Sequence, residues 1–384
     1  MQEAVFMDKY TEVKHQSFGS RIVGAVSGVL IGLVVFAGSF YLIYWNEGRK
    51  DMSTIAKTSV EVDAMNPRVG QAANGQLVSA TGKLTSGEII GDGKFLKPGN
   101  YIAVQRCVEM FAWKERKEEK ESKNTGGSST KTTTYTYNRV WTRSPKSSSS
   151  FKRPEGHYNP PKEIDDIEVR VQNAKVGAFG FDMPAIKLPS FNNLPLSTEN
   201  TVMKGRAALA SSSYIFYGAG SDTAPSIGDL RISYKIVDPG RTVTIMGLMN
   251  SDRIGPYSVE EYGTLFRIFD GTKENAVGQL HKEFLLKLWG FRGLGLFLMW
   301  MGLSLMLGPL TVVMDVLPIA GAIGRAVVGF VTFVISLVLS SIAILVSMAL
   351  HSLTALIVVF AAGIVLAIIT FLVFKHKSAK LKRT

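Results

Sequence analysis

The stretch Phe40–Lys50, FYLIYWNEGRK, brings an apolar run to an abrupt end. No charged residue occurs from Ile22 to Asn46, and then Glu47, Arg49 and Lys50 arrive almost together. Gly293–Met314, Ala326–Leu350 and Leu353–Phe374 are equally bare of charge, and the four runs hold 22 to 25 residues each. A helix rises about 1.5 Å per residue, so roughly 20 residues cross the hydrocarbon of a bilayer. In lipid every backbone N–H and C=O must be paired within the segment, which predicts helices. A helix in a soluble core is seldom apolar on all faces for six turns. The sequence therefore predicts transmembrane helices at 22–46, 293–314, 326–350 and 353–374.

The formal net charge of +12 is unevenly spread over the 384 residues. In the first 21, Lys9, Lys14 and Arg21 balance Glu3, Asp8 and Glu12. Asn46–Arg292 carries 34 basic and 27 acidic residues, and the tail 375–384, KHKSAKLKRT, adds five basic residues and no acid. Short basic segments beside a span stay in the cytoplasm, whereas long loops cross regardless of charge. With four spans, segment 1–21 is then expected on the tail's side and residues 47–274 on the other. Tyr41, Tyr44 and Trp45, and later Trp289 and Arg292, are the expected interfacial anchors. A cleaved signal peptide is disfavoured, because its apolar core is shorter, follows a positive segment and ends in small residues.

Residues 47–274 read as mainly β. Tyr101–Lys120 alternates, with Val104, Val108, Met110 and Ala112 on one face and Cys107, Phe111 and Trp113 on the other. After ESKNTGGSST comes KTTTYTYNRVWTRS, where Tyr135, Tyr137 and Trp141 share a face at period two. Two such runs about a Gly–Gly turn predict a long hairpin with a solvated, charged tip. A Ser/Pro-rich loop, Arg143–Pro161, then divides the region into two expected β units, about 47–150 and 162–271. GQLVSATGKL and GDLRISYKIV are faintly alike, which suggests a duplicated unit without establishing one. In 275–292, Val277, Leu280, Phe284 and Leu288 recur at helical spacing opposite Lys282, Lys287 and Arg292. The stretch is either an amphipathic helix lying on the membrane surface or an extension of the second span.

The segments SFYLIYWNEGR, VEMFAWKE, YTYNRVWTRS, GHYNPP, GDLRISY and WGFRGLGLFLMWMGLSLM, in that order from Ser39 to Met306, resemble the transmembrane protein 43 (LUMA) family. Asn46, Glu47, Gly48 and Arg49 form its most specific motif. The resemblance implies four spans, with one large domain between the first and second. In animals it implies the endoplasmic reticulum and inner nuclear membrane, a luminal domain, self-association, and partnership with lamins and emerin as a membrane organiser. It brings no enzymatic activity. This chain departs from the animal pattern at its hairpin tip and N-terminal segment. The single cysteine, Cys107, and the lack of any N-x-S/T sequon fit a bacterial member in the cytoplasmic (inner) membrane, or a eukaryotic one in the endoplasmic reticulum or inner nuclear membrane, better than an animal cell surface.

No catalytic constellation is legible. His15, His157, His281, His351 and His376 are isolated from one another, and no HExxH, GxSxG or GxxxxGK[ST] occurs. His157 reads as a hydrogen-bonded structural residue and Cys107 as a packed thiol. Within or beside the spans, polar residues invite functional suspicion because they are costly there. Asp315 and Arg325 flank VLPIAGAIG, either as loop residues or as a pair lining an ion path. Gly24, Gly28 and Gly32 fall four apart on one helix face, as close helix packing requires. The expected fold is thus a membrane α-helical protein with a large mainly-β (α+β) domain inserted between helices 1 and 2. Its expected function is that of a non-enzymatic, self-associating scaffold, the alternative being an oligomeric ion channel or transporter. The expected partners are the lipid bilayer, further copies and other membrane proteins, with no nucleic acid, cofactor or metal.

Overall fold

The structure, a computed structural model, describes residues 8–66, 73–316 and 318–351, the side chains of 318–322 excepted. The expected span 353–374 and the tail 375–384 lie outside these. In chain order the first elements are β1 (Asp8–Gln16), α1 (Phe18–Glu47), α2 (Met52–Lys57), β2 (Val60–Asp63), β3 (Leu77–Thr85), β4 (Ala103–Lys123) and β5 (Ser129–Thr142). Then follow β6 (Ile167–Arg170), β7 (Lys175–Val176), β8 (Phe179–Phe181), β9 (Asn192–Asn193), β10 (Ala207–Leu209), β11 (Ile215–Tyr217) and β12 (Leu230–Val237). The last are β13 (Thr242–Asn250), β14 (Arg253–Gly255), β15 (Tyr257–Val259), β16 (Gly263–Leu265), β17 (Arg267–Asp270), α3 (Lys273–Met306), α4 (Gly308–Met314) and α5 (Pro318–His351).

Two compact units result. One comprises 1–13, 51–120 and 132–282, and the other 14–50, 121–131 and 283–384. In the first, β4 pairs with β12, setting Val104, Val108 and Met110 opposite Ile236, Ile232 and Leu230, all buried in one core. The face assigned to Val104, Val108, Met110 and Ala112 by alternation is thus an interior face, while Cys107 is buried on the other. A second sheet centres on β13, which pairs with β3 from Thr242↔Lys83 to Leu248↔Leu77. The expected units 47–150 and 162–271 are therefore not separate bodies. Strands from each half complete the other's sheets, because the interior strands β3 and β4 pair with β13 and β12, far along the chain.

Of the two readings of 275–292, the extension of the second span holds, because the helix runs unbroken from Lys273 to Met306, and Ala276, Val277 and Leu280 join Ala56, Leu77, Met246, Leu265 and Phe269 in a cluster of the β body. Two further expectations need correction. The second span does not run on to Met314, because Pro309 lacks the N–H that would bond the Leu305 carbonyl and its ring crowds that turn. The chain breaks at Leu307 and resumes as α4. The supposed loop before the third span is helical from Pro318, so Arg325 stands within a helix.

The N-terminal segment also departs from expectation. β1 extends the edge of a sheet beside β5. Tyr10 tilts against Tyr135 with ring centroids 6.2 Å apart, the Arg153 guanidinium lies 5.1 Å over the Tyr10 ring, and Lys152 reaches Glu12 at 2.6 Å. Residues 8–13 and 51–57, which bracket α1, therefore belong to one body. A single crossing by α1 would put those segments on opposite faces of a bilayer. Labelling from each side of a sealed vesicle tests the expected placement of 1–21 opposite the body.

Candidate functional site at the two ends of the helical unit

Among the described residues, three helices are long and apolar enough to cross a membrane: the one starting at Phe18, Lys273–Met306 and Ile323–His351. Ser17 caps the first of them, its Oγ accepting the Ser20 N–H at 3.3 Å. α1 and α3 run antiparallel at close range. A Cβ at Gly32 would lie 2.7 Å from the Gly302 carbonyl, and one at Gly302 would lie 2.8 Å from Phe36. Gly28 faces Leu305 at 4.0 Å, whereas Gly24 meets nothing within 4 Å. The glycine face is thus used within the chain, and Gly24 stands outside the contact.

At the C-terminal end of α1 the NEGR motif forms a buried polar node. Asn46 is fully buried, and its amide nitrogen donates to the Leu288 carbonyl at 3.1 Å. Its amide oxygen accepts from Arg49 at 3.2 Å. The Arg49 guanidinium lies 5.4–5.8 Å from the ring centroids of Phe291, Trp45 and Phe284, so its charge meets aromatic faces. Glu47 is 3 % exposed and takes a two-pronged pair of hydrogen bonds from Arg292 at 2.8 and 2.7 Å. Gly48 closes the helix where any Cβ would sit 2.7 Å from the His351 ring, which itself tilts against Tyr44 at 4.4 Å. Each motif letter has a steric or polar reason. Of the expected anchors, Tyr41, Tyr44, Trp45 and Trp289 are exposed, while Arg292 is drawn inward by Glu47.

At the other end Asp315, 1 % exposed, caps the C-terminus of α4 and is shared by two cations, Arg325 of α5 and Arg21 of α1. Arg21 also donates to the Gly127 carbonyl in the hairpin turn, and the Gly126 N–H donates to the Val316 carbonyl at 3.1 Å. Gly126 and Gly127 have φ of 85° and 79°, values that only glycine adopts without strain. The hairpin tip is therefore docked rather than freely solvated. Asp315 and Arg325, which flank VLPIAGAIG, form an ion pair here. Arg21, 294 positions from Asp315, carried no local signal beyond being the last charge before the apolar run.

A third node, in the β body, was not anticipated. The Asp92 carboxylate accepts the Lys94, Phe95 and Leu96 amides at 2.9, 2.8 and 2.8 Å, with Arg106 at 2.8 Å and the Tyr234 hydroxyl. Burial alone would raise its pKa, but these donors outweigh it and hold the carboxyl below the usual range. His157 is buried, stacked 3.9 Å from Tyr137, and its Nδ1 lies 3.0 Å from the Arg153 carbonyl, which fits a structural histidine. Burial pushes the Cys107 thiol up, against reactivity. Among the described residues no group of three His, Cys, Asp or Glu is placed to hold a metal.

The sequence model of transmembrane protein 43 matches residues 110–353. The chain is 28% identical over 333 residues to transmembrane protein 43 of Homo sapiens, covering 81% of this chain and 82% of that one. It is 28% identical over 329 residues to the Rattus norvegicus protein, covering 81% of each. The Drosophila melanogaster homolog is 23% identical over 285 residues, covering 72% of this chain and 75% of that one. No solved structure matches. The matched span takes in the hairpin tip, Arg292, Asp315 and Arg325, and the chain belongs to the transmembrane protein 43 family.

Proposed function

We propose that this protein is a non-enzymatic membrane scaffold that self-associates in the bilayer and presents its β body to protein or lipid partners. One observation carries this reading: the helical unit is braced at both ends by buried ion pairs, with bare apolar faces between them. Opening such a pair leaves an uncompensated buried charge, at a cost of about 3–5 kcal/mol. A bundle braced in this way suits a fixed platform better than a gated pore. Along α5, Phe330, Val334, Val338, Ile342 and Leu345 are 41–68 % exposed, a surface for lipid or for a second copy. Gly28 and Gly32 are already taken up by the α1–α3 contact, and we assign self-association to this α5 face.

The test is the mass of the protein purified in mild detergent, by light scattering with the detergent contribution removed. An oligomer that Phe330→Ala/Val334→Ala weakens supports the proposal; a strictly monomeric particle overturns it. Ion flux through liposomes that Asp315→Asn alters would favour conduction instead.

A further inference from the structure

Where α1 begins, α4 ends and α5 begins, a cleft of about 370 Å³ opens beside the Arg21–Asp315–Arg325 cluster. Its lining holds three cations, Arg21, Lys123 and Arg325, and one carboxylate, Asp315. Lys123 is also paired with Glu121 on its own strand, so the neighbourhood keeps an excess of positive charge even with Glu121 counted. Arg21 is committed on both Nη atoms, to Asp315 and to the Gly127 carbonyl. Arg325 is not. Asp315 is its one partner among the described residues, its side chain is 37 % exposed, and a guanidinium carries five N–H donors. The partial positive charges at the N-termini of α1 and α5 outnumber the partial negative charge where the short α4 ends.

Gly24, Ala25 and Gly308 also line the cleft, and a Cβ at Gly24 would meet nothing within 4 Å. The missing side chain thus leaves open volume next to the cations rather than a helix contact. On the same helices, Val23 and Val26 of α1 and Ile323 and Val327 of α5 are 55–68 % exposed. Cationic donors at the mouth, with bare apolar shafts running away from it, suit a ligand that is anionic at one end and apolar at the other.

We propose that this cleft binds the phosphate headgroup of an anionic phospholipid, with Arg325 as principal donor and Lys123 as second cation. The acyl chains lie along the exposed faces of α1 and α5. A free phosphate would use the same donors but would gain nothing from those faces. Basic pockets between membrane helices are known homes for such headgroups. This site is independent of whether the protein self-associates.

The test uses the full chain, delipidated in mild detergent and offered phosphatidylglycerol or phosphatidylcholine of identical acyl chains, with retained lipid counted by native mass spectrometry. The wild type is expected to prefer phosphatidylglycerol about tenfold. Arg325→Gln, which leaves Asp315 paired with Arg21, is expected to lose about fivefold, the effect of one cation near a lipid surface. Gly24→Leu keeps every charge, fills the cleft, and is expected to lose the preference on steric grounds. The exposed body variant Arg206→Gln is expected to behave as wild type. Equal retention of the two lipids by the wild type overturns the proposal, as does an undiminished preference in both Arg325→Gln and Gly24→Leu. Displacement of the lipid by inorganic phosphate at equal concentration overturns the lipid assignment.

Discussion

Removing one partner of the Glu47–Arg292 pair tests whether the family motif is a structural brace. Both side chains are buried, 3 % and 13 % exposed, so solvent screens the pair weakly. Glu47→Ala would strand the Arg292 guanidinium, leaving it a long 3.7 Å contact to the Met348 sulfur and the face of Trp289 4.7 Å away. Breaking a buried pair from one side costs about 3–5 kcal/mol, whereas replacing both partners by apolar groups of similar volume is often nearly neutral. Glu47→Leu/Arg292→Met should therefore be more stable than either single variant, the reverse of simple addition. At about 2–4 °C per kcal/mol for a unit of this size, each single change lowers the melting temperature by roughly 6 °C or more. Thermal unfolding in one detergent, followed by tryptophan fluorescence, gives the three values. Single variants within about 1 kcal/mol of wild type, or a double variant as damaged as the sum of the two, would refute the brace.

Three further outcomes follow from the geometry. Because the Asp92 carboxyl is held below the unfolded value of about 3.9, its contribution is full above that pH and is lost as pH falls through the folded pKa. Asp92→Asn should start less stable and then lose less than wild type on acidification, and parallel curves of melting temperature against pH would contradict this. Gly302→Leu must displace Phe36 or the Gly32 backbone and should cost about 1–3 kcal/mol, while Gly24→Leu should cost almost nothing; equal effects would remove the α1–α3 contact. With Cys107 changed to Ser, single cysteines at Lys9 and at Lys120 should react with a membrane-impermeant maleimide from the same side of sealed vesicles. Labelling from opposite sides would show that β1 leaves the body in a bilayer.

Periodicity alone was enough for much of this fold. The apolar runs fell on three helices but bounded only α1 to within four residues, missing the starts of α3 at Lys273 and α5 at Pro318, and period two gave the interior face of β4 because Val104, Val108, Met110 and Ala112 all bury on it. What periodicity lacks is pairing. Nothing in GQLVSATGKL says that its partner is TVTIMGLMN, more than 150 positions away, so a sequential division into two β units looked natural and was wrong. The helix break at Leu307 was legible in Pro309 and was overlooked because hydropathy stayed high across it.

The polar nodes divide along the same line. Asn46, Glu47, Gly48 and Arg49 were visible as a motif, yet their partners Leu288, Arg292 and His351 are far along the chain, so the motif read as a boundary marker rather than a joint. Arg21 and Asp92 were invisible for a different reason. A lone charge beside an apolar run is ordinary in sequence, and becomes costly only when folding buries it. β1 carries the same lesson into topology. Its alternating DKYTEVKH is unremarkable as a neutral N-terminal segment, and only the contacts of Tyr10, Glu12 and Asp8 with Arg153, Lys152 and His157 give it a place. Charge counting assigns sides by what is cheapest to carry across a bilayer, whereas strand pairing assigns them by what can touch. At α1 the two disagree, and side-specific labelling of cysteines at Lys9 and Lys120 decides between them.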